Sequence, residues 1–204
     1  MLTTATPDRD LLVDHRGRPR VAVPTSLTHD QSLLGTAFHE AGHAVLALAQ
    51  GLHLVSSEVV AWLSGPGQST VTGRTSFSAA RIEDIHPWRF AAQAAAGSLA
   101  EVRYLMDHGL WTPERAAACP GTHDRDQAVD VLAGMGYRLG VDHVPPGGKS
   151  WGQVRGMAWH RINRLWPQIR TVAHAMYETP FLTGEQIAAM TGLANTPMPV
   201  GGAA

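Results

Sequence analysis

The chain has 204 residues, of which 44% are hydrophobic and 16% charged, and its formal net charge is −1. This length and composition predict one globular domain with a substantial core, and the near-neutral charge argues against a protein that binds nucleic acid. The single cysteine, Cys119, excludes an intramolecular disulfide and favours a reducing compartment. The first residues carry no signal-peptide pattern, and no apolar stretch is long enough to span a bilayer. We therefore expect a cytoplasmic protein without a membrane partner.

The chain begins with a polar segment, residues 1–27, in which three prolines argue against regular structure. We expect this segment to be a flexible N-terminal arm. Its basic residues are expected to be solvated, and they are Arg16, Arg18 and Arg20.

A long helix is predicted from Gln31 to Gln50, because its apolar residues recur at intervals of three and four. Thr28 or Asp30 is suited to cap the beginning of this helix, and Gly51 is placed to end it. The pattern predicts that one side of the helix is buried.

Two β-rich segments, residues 54–62 and 69–77, follow the helix and are separated by Gly65-Pro66-Gly67. Glycine and proline in this arrangement are a strong turn signal. The two segments are therefore predicted to form a hairpin or to be neighbouring strands.

The remainder of the chain is predicted to be mostly helical. The predicted helices are residues 87–108, 124–139, 151–178 (broken or kinked near Pro167) and 184–190. A loop is expected at 110–122, a linker at 144–150 and a disordered tail at 193–204. All these elements together predict an α+β fold that is mostly helical, with a small β-sheet and a C-terminal helical bundle.

The first long helix contains the sequence His39-Glu40-Ala41-Gly42-His43. Since positions i and i+4 of a helix lie on one face a turn apart, His39 and His43 are placed to bind one metal ion. Glu40 projects from the same side, within reach of a water bound to that metal. This HExxH pattern is typical of zinc enzymes in which the glutamate is a general base rather than a ligand. The alternative is a pair of core histidines bonded to the backbone, with Glu40 solvated.

A catalytic zinc ion usually has three protein ligands, so a third is expected outside the motif. Asp124 lies at the predicted start of a helix, where free N–H groups stabilise a carboxylate. Glu101 is its rival, because other HExxH enzymes take a glutamate from a later helix. The full set of candidates is Glu58, Glu83, Asp84, Glu101, His123, Asp124 and Asp126.

Several segments resemble the M41 peptidases, the proteolytic domain of the membrane-bound FtsH proteases. The sequence at 39–44, His-Glu-Ala-Gly-His-Ala, is similar to the metal-binding motif of that family. Ala96-Gly97-Ser98-Leu99-Ala100-Glu101 resembles the family's Gly-Gly-Arg-Ala-Ala-Glu helix segment. Residues 121–128 resemble the segment that supplies the third zinc ligand, and residues 182–187 resemble the closing helix. The resemblance implies a zincin-like peptidase domain at residues 28–192.

The resemblance also implies roles for individual residues. Aligning the third-ligand segment on Ala128 places the ligand at Asp124. The loop before it is one residue shorter than is usual in the family, which leaves His123 and Asp126 as alternatives. Glu101 then serves in helix packing, or in an outer shell that orients a ligand histidine.

A member of this family is expected to be a zinc metalloendopeptidase in which Glu40 activates the attacking water. His123 is the adjacent candidate for a donor to the oxyanion. FtsH carries membrane helices and an ATPase module, and this sequence shows neither. We therefore expect ATP-independent cleavage of flexible peptides or unfolded proteins, with a separate delivery partner or a homo-oligomer as further possibilities.

Two alternatives come from other functional classes. One is an M41-like fold that serves as a regulatory or binding module, against which an intact set of ligands and Glu40 argues. The other is a zinc hydrolase of a small amide. An open groove along residues 69–77 would favour a peptide substrate, and a closed pocket would favour a small molecule.

Overall fold

The computed structural model describes residues 7–20, 25–65, 68–78, 85–119 and 121–198. The fold is α+β with helices predominating, as the sequence predicts. The helices are α1 (Arg9–Leu12), α2 (His29–Ala49), α3 (Pro87–Ala94), α4 (Ala96–Asp107), α5 (Pro113–Ala118), α6 (Thr122–Gly134), α7 (Trp151–Glu178) and α8 (Gly184–Thr191). The strands are β1 (His53–Gly65), β2 (Gln68–Ser78), β3 (Leu139–Gly140), β4 (Lys149–Ser150) and β5 (Phe181–Thr183).

Helix α2 is the centre of the fold and contacts α4, α7 and the β1–β2 hairpin. It begins with a capping box in which Thr28 and Gln31 satisfy each other's backbone N–H groups. Every residue from Ala37 to Leu48 is buried, because the helix is apolar or small on nearly all sides there. At Gly42 a side chain would lie 2.8 Å from Ala100 Cβ, so the glycine permits the close approach of α4.

The predicted hairpin is confirmed, since β1 and β2 pair in antiparallel register. Two of the predicted turn residues, Pro66 and Gly67, lie outside the described residues. A short third strand, β5, was not predicted and pairs with the other side of β1. The sheet order is therefore β2-β1-β5, which leaves β2 at an edge.

Several boundaries differ from the sequence prediction. The helix expected at 87–108 is interrupted at Ala95, so that α3 and α4 are separate elements. The expected loop at 110–122 contains α5, and α6 ends at Gly134, before the short strand β3. Helix α7 is continuous through Pro167, so of the break or kink predicted there the break is wrong. The packing of apolar residues on both sides of the proline, such as Trp166 and Ile169, offsets the lost hydrogen bond.

The predicted N-terminal arm lies against the domain over its described part. Helix α1 buries Leu11, and the hydroxyl of Thr72 in β2 donates to the carbonyl of Leu11 at 3.2 Å. Beyond it, Val13 bridges to Pro19 and closes a turn. We call residues 13–20 the N-terminal loop. A short extended piece that the sequence suggests at residues 21–23 lies outside the described residues.

The first part of the predicted tail also makes contacts with the domain. The side-chain amide of Asn195 exchanges two hydrogen bonds with the backbone of Leu54, at 2.8 and 2.9 Å. Residues 199–204 lie outside the described residues. None of the helices in the described part of the chain combines the length and the hydrophobicity that a membrane span requires.

Candidate metal centre

The two motif histidines lie on successive turns of α2, and both are buried, with exposures of 6% for His39 and 7% for His43. Their Nε2 atoms are 3.1 Å apart. Asp124 comes from the first turn of α6, and its Oδ2 lies 3.3 Å from His39 Nε2 and 3.5 Å from His43 Nε2. Within the described residues, these three side chains form a group whose ligand atoms all lie within 4.8 Å of one another.

The other nitrogen of each ring is held by a hydrogen bond. His43 Nδ1 is 2.8 Å from the Gln93 carbonyl oxygen, and His39 Nδ1 is 3.3 Å from Glu101 Oε2. A carbonyl and a carboxylate only accept, so each Nδ1 donates. With its proton on Nδ1, a neutral imidazole turns the lone pair of Nε2 toward the other ring and Asp124. Lone pairs that converge in this way are stabilised by a positive charge between them, which is either a metal ion or a second proton on His39.

The spacing of the three ligand atoms fits a small tetrahedral ion. For bonds of roughly 2.0–2.1 Å, tetrahedral geometry places ligand atoms about 3.3 Å apart. The observed separations are 3.1, 3.3 and 3.5 Å. Two imidazoles and one carboxylate are a donor set that zinc accepts, leaving a fourth position open.

A glycine keeps the space in front of the nitrogens open. The Cα of Gly97, in the first turn of α4, faces the two rings. A Cβ there would lie 2.5 Å from His39 Nε2 and closer still to His43 Nε2. Any other residue at this position would therefore fill the space that an ion needs.

The charges of the site stabilise a cation. Burial alone would raise the pKa of Asp124, but the adjacent His43 and His39 hold it well below its usual range. Burial lowers the pKa of His39, but the hydrogen bonds to Asp124 and Glu101 and the charge of Glu40 outweigh it. The pKa of His39 therefore lies well above its ordinary value. The same negative charges that attract a proton to His39 attract a metal ion.

Glu40 lies against β2, outside the three-residue group. It is 5% exposed, and the hydroxyl of Thr75 donates to its Oε2 at 2.7 Å. The hydroxyl of Ser57 in β1 is 2.9 Å from that of Thr75. A Cβ at Gly73 would lie 2.5 Å from Glu40 Cγ, so this glycine makes room for the carboxylate. The strand thus fixes the side chain of Glu40 beside the three-residue group.

The other candidate ligands have different surroundings. Glu101 bonds to His39, as an orienting group would. Asp126 Oδ1 is bound by the guanidinium of Arg125, at 3.0 and 2.9 Å, and is not part of the group. Glu58 pairs with Arg74 across the hairpin. Glu83 and Asp84 lie outside the described residues.

The ring of His123 faces the N-terminal loop. Its Nε2 is 3.3 Å from Arg20 Nη2, and because a guanidinium only donates, the histidine accepts. Burial and the nearby charge of Arg20 lower the pKa of His123. Cys119 is not part of the group either, and burial and Glu101 raise the pKa of its thiol.

Sequence reasoning missed four residues that shape the site: Gly73, Thr75, Gln93 and Gly97. An isolated glycine inside a strand pattern indicates the close approach of another group, so Gly73 could have been found. The carbonyl of Gln93 accepts from His43 next to the helix interruption at Ala95, for which the alanine-rich sequence gives no signal.

No protein-family model matches this chain, and no curated protein is significantly similar to it. The assignment of the site therefore rests on its own geometry and on the motifs.

Proposed function

We propose that the protein is a zinc-dependent metallopeptidase with an M41-like, zincin-type domain. The observation that carries this proposal is the convergence of His39, His43 and Asp124 around a space kept open by Gly97. The segments that resemble M41 peptidases supply the two histidines, Gly97, Glu101 and Asp124, and these meet at one place.

The proposed mechanism follows from the position of each side chain. Zinc bound by His39, His43 and Asp124 would polarise the scissile carbonyl and lower the pKa of the attacking water. Glu40 removes a proton from that water and passes it to the leaving nitrogen. Thr75 holds the carboxylate of Glu40 in place through its 2.7 Å hydrogen bond.

The edge of the sheet supports a peptide as substrate. Val59 pairs with Gly73, but the N–H of Val59 donates to Pro180 on the other side of β1, at 2.8 Å. In an antiparallel ladder such a pair exchanges no hydrogen bonds, so the N–H and C=O of Gly73 point away from β1, toward the edge of β2 where Arg20 Nη1 lies 3.4 Å from that carbonyl oxygen. An extended peptide that pairs there lies at the level of Glu40.

The same proposal covers partners and location. The substrates would be flexible peptides or unfolded proteins, presented directly, by a delivery partner or within a homo-oligomer. The single cysteine, which has no partner for a disulfide in the chain, supports a reducing compartment such as the cytoplasm.

The proposal is tested with an unfolded protein such as casein, in the presence and absence of a chelator. We expect cleavage that the chelator abolishes and zinc restores. Glu40→Gln should keep its zinc but lose about 10²- to 10⁴-fold in kcat, the usual contribution of a general base. A Glu40→Gln variant as active as wild type would show that the base is wrongly assigned.

The third ligand is tested with a matched pair of substitutions in α6. Asp124→Asn should lose zinc, whereas Asp126→Asn, two residues along the same helix, should retain one zinc per chain. If the zinc-loaded protein cleaves neither casein nor any of several peptides, a binding module or a hydrolase of a small amide would be favoured.

A further inference from the structure

The N-terminal loop carries three arginines at alternate positions, and two of them are neutralised. Arg16 Nε donates to the carboxylate of Asp130 at 2.6 Å, and Arg18 lies 2.7 Å from that of Asp14. In the described part of the chain, Arg20 has no carboxylate within ion-pair distance. It is thus the one charge of the three without a counter-ion there.

Arg20 is held by neutral groups at the rim of the metal centre. Its Nε donates to the Val13 carbonyl at 2.9 Å, and its Nη1 lies 3.4 Å from the carbonyl oxygen of Gly73. Its Nη2 is 3.3 Å from His123 Nε2. Gly73 adjoins the base Glu40, and His123 directly precedes Asp124. The guanidinium therefore lies between β2, where Gly73 adjoins Glu40, and the first turn of α6, where His123 precedes Asp124.

The chemistry of this group fits a carboxylate. A guanidinium has five N–H groups, and the contacts within the described residues use one on each nitrogen. One N–H remains on each terminal nitrogen, so the guanidinium still has two donors to offer to a carboxylate. The side chain is partly buried, so its charge is screened less than that of Arg16 or Arg18 at the surface.

We infer that Arg20 determines specificity by binding a substrate carboxylate close to the scissile bond. This inference rests on the proposed function, since it concerns a peptide lying along the edge of β2 beside Gly73. The carboxylate is supplied by an acidic side chain or by the C-terminus of the peptide, and the two sources are separated experimentally.

The experiment compares fluorogenic peptides that differ at one position near the cleaved bond. That position is Glu in one peptide, Gln in the second and Lys in the third. Each peptide is made with a free and with an amidated C-terminus. The zinc-loaded wild-type protein is expected to prefer the carboxylate by roughly ten- to hundredfold in kcat/KM, mainly through KM, since one charge-assisted interaction has this strength. Dependence on Glu identifies a side chain, and dependence on the free terminus identifies the C-terminus.

Three variants separate recognition from structure. Arg20→Gln should remove the preference, Arg20→Lys should restore part of it, and Arg20→Glu should turn it toward the Lys peptide. Arg18→Gln is the matched control and should leave the preference unchanged. Zinc content and thermal midpoint are measured on every variant, so that a folding defect is recognised.

The results that overturn the inference are equally specific. No preference in the wild type, or an equal loss for all peptides in Arg20→Gln, would show that Arg20 only anchors the N-terminal loop. Binding of the same peptides is also measured by fluorescence anisotropy. Binding that depends on the carboxylate and on Arg20 without any cleavage would support recognition of a carboxylate by Arg20 and reject the proposed peptidase function. Cleavage that shows no preference for the carboxylate would support the proposed peptidase function and reject the inference about Arg20.

Discussion

Replacing Gly97 with alanine tests the metal centre most directly. Gly97 lies on α4 and faces the rings of both histidines. The new methyl carbon would lie 2.5 Å from His39 Nε2 and closer still to His43 Nε2. A metal ion bound by the two nitrogens would lie about 2.0–2.1 Å from each. The methyl group and the ion therefore compete for the same space.

The magnitude follows from the contact distances. Non-bonded carbon atoms prefer separations of about 3.5–4.0 Å, so the rings must move by roughly 1 Å. Removing one hydrogen-bond partner of a metal-binding side chain already lowers metal affinity by about 10- to 100-fold. Displacing both ligand nitrogens should cost more than about 100-fold, which corresponds to about 2.7 kcal/mol. Without metal, the overpacking costs about 1–3 kcal/mol, partly offset by the roughly 1 kcal/mol that alanine gains over glycine in a helix.

The assay is zinc content after dialysis, a competition titration with a coloured chelator, and thermal unfolding with and without zinc. Zinc at a hundred times the wild-type Kd should stabilise the wild type by about 2.7 kcal/mol and Gly97→Ala by less than about 0.4 kcal/mol. Gly156→Ala in α7 is the matched control, because a Cβ there would meet nothing within 4 Å. It should bind zinc normally and gain about 0.5–1 kcal/mol in stability. Zinc affinity that is unchanged in Gly97→Ala would refute the shared metal site.

Two further predictions concern pH and the base. The affinity for zinc should rise by about tenfold per pH unit up to the pKa of His39, because the metal must displace one proton there and that pKa is raised. A titration of zinc binding between pH 5 and 8 measures this slope, and an affinity that does not vary over this range would contradict it. Thr75→Val should keep zinc but lower kcat by about tenfold, since Glu40 loses its 2.7 Å hydrogen bond. Ser57→Ala, which removes only the hydroxyl behind Thr75, is expected to have a smaller effect.

The local features of the site could be predicted because they depend only on helix geometry. The spacing of His39 and His43 places them on one face of any α-helix, whatever surrounds it. The apolar pattern around them predicts the burial of α2, and the turn signal predicts the β1–β2 hairpin. Each of these inferences uses residues close to one another in the chain.

The choice among distant carboxylates is different, because the packing of whole elements decides it. Asp124 and Asp126 are two positions apart on a helix and point in directions about 160° apart, so only one can face the histidines. Asp124 shares its face with the buried residues Ala128 and Leu132, whereas Asp126 turns toward Arg125. Sequence alone left both open, since it does not fix the rotation of α6 relative to α2.

The sequence by itself determined that a helix presents two histidines and a glutamate on one side. Only the tertiary structure decided what meets them: Asp124 on α6, the open space at Gly97 and the hydroxyl of Thr75. It also decided the position of Arg20, which the composition of the N-terminal segment placed in solvent and the structure places on β2 beside Gly73. Contacts between residues that are distant in the chain depend on how the surfaces of α2, α4, α6 and the sheet fit together. That fit is a collective property of packing, and no local pattern in the chain encodes it.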